Sequence, residues 1–174
     1  MNFDMKFDPI EYLKRYDHTI DDDGFITVNG NFDCNCLGLT KLPWKFKEVK
    51  GDFSCSYNKL KTLEGAPEIV NGDFDCSDNE LRTLECSPKV INGDFYCYGN
   101  KLITLKGAPK TVEGRFDCVY NELTTLKGSP KIINSNFYCY HNQLTTLDYM
   151  PDGVRKVYFY NNPILPEELA LYNL

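Results

Sequence analysis

A unit of about 21 residues repeats along most of this chain, and that repetition restricts it to folds made by stacking one small element on the next. Three stretches show the unit: GDFSCSYNKLKTLEGAPEIVN from Gly51, GDFDCSDNELRTLECSPKVIN from Gly72 and GDFYCYGNKLITLKGAPKTVE from Gly93. GRFDCVYNELTTLKGSPKIIN follows from Gly114, and SNFYCYHNQLTTLDYMPDGVRK from Ser135. A divergent copy, GNFDCNCLGLTKLPWKF, begins at Gly30, and a partial last one, VYFYNNPI, at Val157, which makes seven copies.

Within a unit, the polarity pattern dictates the path of the chain. Phe53 and Cys55 alternate with Asp52, Ser54 and Ser56, the period of a strand with one buried face. The chain then turns at Asn58, whose equivalents are Asn79, Asn100, Asn121, Asn142 and Asn162. Leu60 and Leu63 point inward, as do Leu81/Leu84, Leu102/Leu105, Leu123/Leu126 and Leu144/Leu147. Gly65-Ala66-Pro67 turns the chain onto the opposite flank, and Val70 brings it back to the core. Proline stops a helix there, so this flank is expected to be irregular or short 3₁₀. Four positions separate each returning apolar residue from the next Phe (Val49 to Phe53, Val70 to Phe74, Ile91 to Phe95), and Gly before the strand predicts a bulge or tight bend.

Eight cysteines could signal a disulfide framework, but six of them (Cys34, Cys55, Cys76, Cys97, Cys118, Cys139) keep the repeat interval. One repeated structural position explains them better than pairing or metal binding, so they read as buried free thiols acting as small hydrophobes. Cys34-Asn35-Cys36 is a weak zinc signal without further ligands, and Cys86 stands where other copies have glycine.

The pattern Phe-x-Cys-x-x-Asn-x-Leu-x-x-Leu resembles the leucine-rich-repeat strand signature L-x-L-x-x-N/C-x-L over roughly residues 28–165, most closely the short-repeat bacterial and bacteriophage type. The resemblance implies a leucine-rich-repeat solenoid with a curved parallel β-sheet on its concave face and an irregular or 3₁₀ convex face. It also implies that the asparagines form a ladder inside the turn, a task suited to an amide that both donates and accepts. A phage- or pathogen-encoded protein that binds or inhibits a host defence factor is the biological setting it suggests.

A solenoid needs caps at both ends of its core. Residues 1–29 are expected to form the first: a helix over about 8–17 with Asp8 as N-cap and Pro9 at its first position, a turn at 21–24, and a capping strand at 25–28. Ile10, Leu13 and Tyr16 should lie over the first coil, with Trp44 packed nearby. The repeats occupy 30–165, and 166–174 should close the far end with a short helix. Asp21-Asp22-Asp23-Gly24 lacks the frame of a calcium loop.

Composition narrows the function. Hydrophobic residues make up 42%, with no apolar run long enough to span a membrane and no signal layout at the N-terminus, so a cytoplasmic protein is expected (host cytoplasm if phage-encoded). A net charge of -6 argues against duplex nucleic acid and leaves a protein with a basic surface as the natural partner. Only His18 and His141 are available, and no nucleophile, phosphate-loop or metalloprotease motif occurs; no enzyme activity, cofactor or metal is expected.

Function should then reside in the side chains that flank Phe and Cys and point away from the core. They form an acidic zone (Asp33, Asp52, Asp73, Asp75, Asp78, Asp94, Asp117) and a later aromatic zone (Tyr96, Tyr98, Tyr120, Tyr138, Tyr140, His141, Tyr158, Tyr160), with Tyr57 at the acidic end. Turn chemistry after Gly could account for Asp52, Asp73 and Asp94, and strand propensity for some tyrosines. Seven outward tyrosines exceed that need, and tyrosine is favoured at recognition surfaces for its large, low-entropy contact area. The sites expected to meet a partner are Tyr57, Asp73, Asp75, Asp94, Tyr96, Tyr98, Asp117, Tyr120, Tyr138, Tyr140, His141, Tyr158 and Tyr160. Carbohydrate or small-ligand binding and a structural role in virion assembly are the alternatives. Convex lysines (Lys89, Lys106, Lys110, Lys127, Lys131) read as a solvated face.

Overall fold

In the structure, a computed structural model describing residues 7–170, the Phe-Cys alternation becomes a strand in every coil. Helix α1 (Pro9–Leu13) leads to β1 (His18–Ile20), β2 (Ile26–Val28) and β3 (Phe32–Asp33). Each following coil adds two short strands: β4 (Phe46–Val49) and β5 (Phe53–Ser54), then β6 (Ile69–Val70) and β7 (Phe74–Asp75), then β8 (Val90–Ile91) and β9 (Phe95–Tyr96). Next come β10 (Thr111–Val112) and β11 (Phe116–Asp117), then β12 (Ile132–Ile133) and β13 (Asn136–Tyr138), and finally β14 (Lys156–Tyr158) and helix α2 (Pro166–Ala170).

Strands β3, β5, β7, β9, β11, β13 and β14 stack in that order as one seven-stranded parallel sheet, with Phe registered on Phe from Phe32 to Phe137. The chain is therefore a parallel β-solenoid with turns of about 21 residues and little helix. The opposite flank departs from the expectation of irregular or 3₁₀ structure. It carries a second line of parallel pairs, β2-β4-β6-β8 and then β10-β12, and no 3₁₀ helix occurs among the described residues. The cause is local composition: Ile69-Val70, Val90-Ile91, Thr111-Val112 and Ile132-Ile133 are β-branched dipeptides that sit two residues after a proline.

The corners between the two ladders explain the four-residue gap and the glycines. The Asp52 carboxylate occupies the space a Cβ on Gly72 would need, and Asp73 and Asp94 do the same to Gly93 and Gly114. The next corner is a β-turn closed by Leu105 O accepting from the Ala108 N–H at 3.0 Å, with Gly107 at φ 93°, the left-handed geometry of a type II turn. Cys86 and Tyr149 hold the equivalent place at φ 67° with side chains attached.

Each of the first six coils sends Phe, Cys and two Leu into one continuous core, and the last adds the partly buried Val157, Phe159 and Ile164. The phenylalanine rings follow one another at centroid spacings of 4.9–5.8 Å from Phe32 to Phe137. Full burial of each such side chain stabilises the fold by roughly 1.5–3 kcal/mol. Between strand and leucines lies a buried asparagine ladder. The Asn100 amide donates to Cys76 O (3.1 Å), Cys97 O (3.1 Å) and Tyr98 O (3.2 Å), and its oxygen accepts from the Leu81 N–H at 3.0 Å. Asn58, Asn79, Asn121 and Asn142 repeat this arrangement, and Asn162 accepts from Leu144 N–H at 2.9 Å. The six cysteines at the repeat interval are buried free thiols; burial pushes their pKa up, to about 12 for Cys139.

The caps are simpler and partly different from expectation. Asp8 caps α1, accepting from the Ile10 and Glu11 N–H groups at 2.9 and 3.2 Å. The helix ends at Leu13 instead of about residue 17, because Tyr16 N–H closes back on Leu13 O (3.0 Å) and the Tyr16 ring packs on Phe32 at 4.4 Å. Ile10 does not cover the coil; it is 71% exposed, and Tyr12 takes the place expected for it. Tyr12 and Tyr16 hydroxyls both donate to Asp33 O, and Trp44 Nε1 donates to Pro9 O at 3.0 Å. The capping strand pairs antiparallel with β1, a hairpin the sequence pattern does not announce. Its turn is held by the Asp21 carboxylate, which accepts from Phe25 N–H at 2.8 Å and Asp23 N–H at 3.1 Å. Of the cap expected at 166–174, Pro166–Ala170 is helical; 171–174, like 1–6, lie outside the described residues. No helix among the described residues is long and apolar enough to cross a membrane.

Candidate functional site

The outward face of the seven-stranded sheet is assembled from four columns, each holding one side chain per coil. The first column precedes Phe: Asn31, Asp52, Asp73, Asp94, Arg115, Asn136 and Lys156. Here the carboxylates belong to the solenoid. Asn31 Oδ1 accepts from Asp52 N–H (2.9 Å), Asp52 Oδ1 from Asp73 N–H (2.9 Å), Asp73 Oδ1 from Asp94 N–H (2.7 Å), and Asp94 Oδ1 from Arg115 N–H (2.7 Å). A second polar ladder thus runs parallel to the buried asparagines. It gives Asp73 and Asp94, both expected to meet a partner, a fixed structural task.

Asp94 does more. Arg115 Nε lies 2.7 Å from its Oδ2, the Tyr96 hydroxyl donates to the same oxygen at 2.9 Å, and the guanidinium sits 4.9 Å over the Tyr96 ring. Burial alone would raise the Asp94 carboxyl; the Arg115 backbone and guanidinium together with Tyr96 outweigh it and hold the pKa below the usual range. Burial first and the Asp94 carboxylate second push the Tyr96 phenol up, with Arg115 opposing. Arg115 was not among the expected site residues. Its signal is the change from acid to base in that column, Gly114-Arg115-Phe116 after Asp52, Asp73 and Asp94.

The second column lies between Phe and Cys: Asp33, Ser54, Asp75, Tyr96, Asp117, Tyr138, Tyr158. Asp33, Asp75 and Asp117 each accept from the N–H two residues on, at 2.8, 2.9 and 3.2 Å. Asp117 is half-buried between Tyr96 and Tyr138, its registered neighbours. Burial raises its pKa, with Val119 N–H and Arg115 opposing and Asp75 adding.

Columns three and four, after Cys, complete the face. The third holds Asn35, Ser56, Ser77, Tyr98, Val119, Tyr140 and Tyr160. The fourth is left-handed in every coil: Cys36, Tyr57, Asp78, Gly99, Tyr120, His141 and Asn161 have φ between 51° and 64°. That conformation is what lets Asn58 and its equivalents fold back under the strand, and it costs non-glycine residues roughly 1–2 kcal/mol each.

The last three coils gather most of the aromatic zone into two neighbouring stacks, Tyr138/Tyr158 and a group of Tyr120, Tyr140, His141 and Tyr160. Tyr138 stacks on Tyr158 at 4.6 Å, Tyr140 on Tyr160 at 4.2 Å, and Tyr120 on His141 at 4.4 Å. Tyr140 also meets Tyr120 edge-on at 6.2 Å, and the Asn161 amide lies 3.1 Å from His141 Nε2. Tyr120 and Tyr160 are 58% and 52% exposed. The neighbouring Tyr160 hydroxyl, then burial, pushes the Tyr140 phenol up to about 12. Tyr57 and Tyr98 stand apart from this cluster, beside Asp78 and Asp75; burial first and Asp75 second raise the Tyr98 phenol. Among the described residues no three His, Cys, Asp or Glu side chains group so as to hold a metal ion. No protein-family model matches the chain, and no curated protein matches it.

Proposed function

We propose that this solenoid is a leucine-rich-repeat module, without catalytic activity, that recognises a protein through the outward, concave side of its seven-stranded sheet. One observation carries the reading: the cluster of Tyr120, Tyr138, Tyr140, His141, Tyr158 and Tyr160 is not required by the coil. The same positions hold Ser54, Ser56 and Ser77 in earlier coils, whose Phe, Cys and Asn columns are unchanged. Rings that the repeat can do without, held against one another on an exposed sheet, present area to something else. The acidic columns beside them and the net charge of -6 favour a basic partner surface.

Protein is favoured over sugar by the stacking. Tyr138/Tyr158 and Tyr140/Tyr160 are parallel to within 1° and 14°, so in each pair one face of each ring is taken by its neighbour and withdrawn from a sugar. Site-specific photocrosslinking tests the reading: p-benzoylphenylalanine replaces Tyr160 in one version and Lys131, on the opposite flank, in another. Protein adducts from position 160 and none from 131 are expected in cells that make the chain; adducts from 131 alone, or equally from both, contradict it.

A further inference from the structure

The face also contains a slot of defined chemistry, over β11. On its two sides the tyrosines turn away from one another. Tyr96 is tied to Asp94 of its own coil, whereas Tyr138 and Tyr140 stack onto Tyr158 and Tyr160 of the following coil. Between them the coil of β11 offers Asp117 and the buried Val119, with the Arg115 guanidinium drawn aside onto Asp94 and the Tyr96 ring. Strands two apart are separated by roughly 10 Å, so rings standing on β9 and β13 leave room for one planar group or one aliphatic chain.

The floor of this slot is a carboxylate with capacity to spare. Asp117 Oδ1 accepts from Val119 N–H at 3.2 Å, and its Oδ2 has no hydrogen-bond partner among the described residues. The protein already shows what such a pair of groups binds. One register away, Arg115 puts its guanidinium on the Asp94 carboxylate at 2.7 Å and over the Tyr96 ring at 4.9 Å. Asp117 beside Tyr138 presents the same combination without a guanidinium bonded to it: Arg115 acts on Asp117 only through its field, its Nε being held by Asp94 at 2.7 Å.

Resting on the recognition reading above, we propose that an arginine side chain of the protein partner docks over β11, its guanidinium on the Asp117 carboxylate and its plane against Tyr138. Arginine suits the slot better than lysine because a planar guanidinium can bond the carboxylate and stack on the ring at once. Tyr120 and Tyr140 close one end of the slot and Arg115 the other.

Three blocked tripeptides, Gly-Arg-Gly, Gly-Lys-Gly and Gly-citrulline-Gly, titrated into the full chain and followed through tyrosine ring NMR signals, test this. The arginine peptide is expected to shift the Tyr138 and Tyr140 rings and to bind at least about tenfold more tightly than its neutral citrulline counterpart, with lysine between them. Asp117→Asn keeps the acceptor for Val119 N–H and the fold, and is expected to reduce arginine binding to the citrulline level. Equal binding of arginine and citrulline, unchanged binding by Asp117→Asn, or no movement of the Tyr138 ring overturns the slot. Photocrosslinks from position 160 that persist in Asp117→Asn, alongside a failed titration, would overturn the slot and leave the recognition face standing; loss of specific crosslinks in the unmodified chain would remove the face itself.

Discussion

Asp73 illustrates how one side chain on this face can look available and yet be committed. Its carboxylate caps the Asp94 N–H of the next coil and fills the space above Gly93. Asn31 performs the same task in the first coil with an amide oxygen, so charge is dispensable there and the acceptor is not. Asp73→Asn is therefore expected to change unfolding free energy by less than about 0.5 kcal/mol in urea denaturation, and Asp73→Ala to lose about 1–2 kcal/mol through the orphaned N–H. Asp94 differs because its charge is used by Arg115 and Tyr96. Its lowered folded pKa means its stabilising contribution is complete above the ordinary carboxylate range and is lost as pH falls through the lowered value. The stability gap between the parent chain and Asp94→Asn should accordingly be full at pH 7 and shrink on acidification below that range. A gap that widened on acidification would remove the ion pair from the explanation.

At the scale of the strand and turn, the inward positions are legible in the sequence because one requirement recurs in every coil. A buried amide must serve carbonyls and an N–H from two coils, which only asparagine does at that size, so the Asn column is nearly invariant along the array. Asn100→Ala would strand several buried backbone groups, and an increase in instability on the order of 3–5 kcal/mol is expected by chemical denaturation. The cysteine column is legible for the same reason, and it sets a thiol count. Of eight cysteines, only Cys36 and Cys86 are exposed, so a thiol reagent should label two in the native chain and all eight after unfolding. What escapes the sequence is weaker in signal. Strand β1 is three residues with Ile20 exposed, giving no alternation to detect, and the second ladder consists of dipeptides. The left-handed column hides because Tyr, His, Cys and Asp occupy five of its seven places, and Gly99 and Asn161 only two. Gly107 is a turn position of the opposite kind, where a Cβ would collide with the backbone of Glu85 at φ 93°. Gly107→Ala is expected to lower stability by at least about 1–2 kcal/mol, measured the same way.

Across the whole molecule, each strand of the seven-stranded sheet pairs with those of the adjacent coils, and recurring inward columns carry the core from the Trp44 end toward the last coil. Such an array constrains inward residues in every coil and leaves the outward ones free to differ, so the face can be specialised without disturbing the core. The sequence locates that face through its alternation; it does not reveal which outward residues are already engaged. Asp73 and Asp94 prove to be bonded within the solenoid, while the tyrosines of the last coils stack on one another from coil to coil. Asp117, framed by Tyr96 and Tyr138, acquires its importance only from the register of three strands. The central claim is that the aromatic cluster serves a partner and not the fold. The double variant Tyr140→Ala/Tyr160→Ala, assayed in parallel for thermal unfolding and for retention of the protein that crosslinks from position 160, separates the two roles. A midpoint lowered by no more than about 3 °C with partner retention lost is the expected result; a chain that unfolds much earlier, or one that still holds its partner, would contradict it.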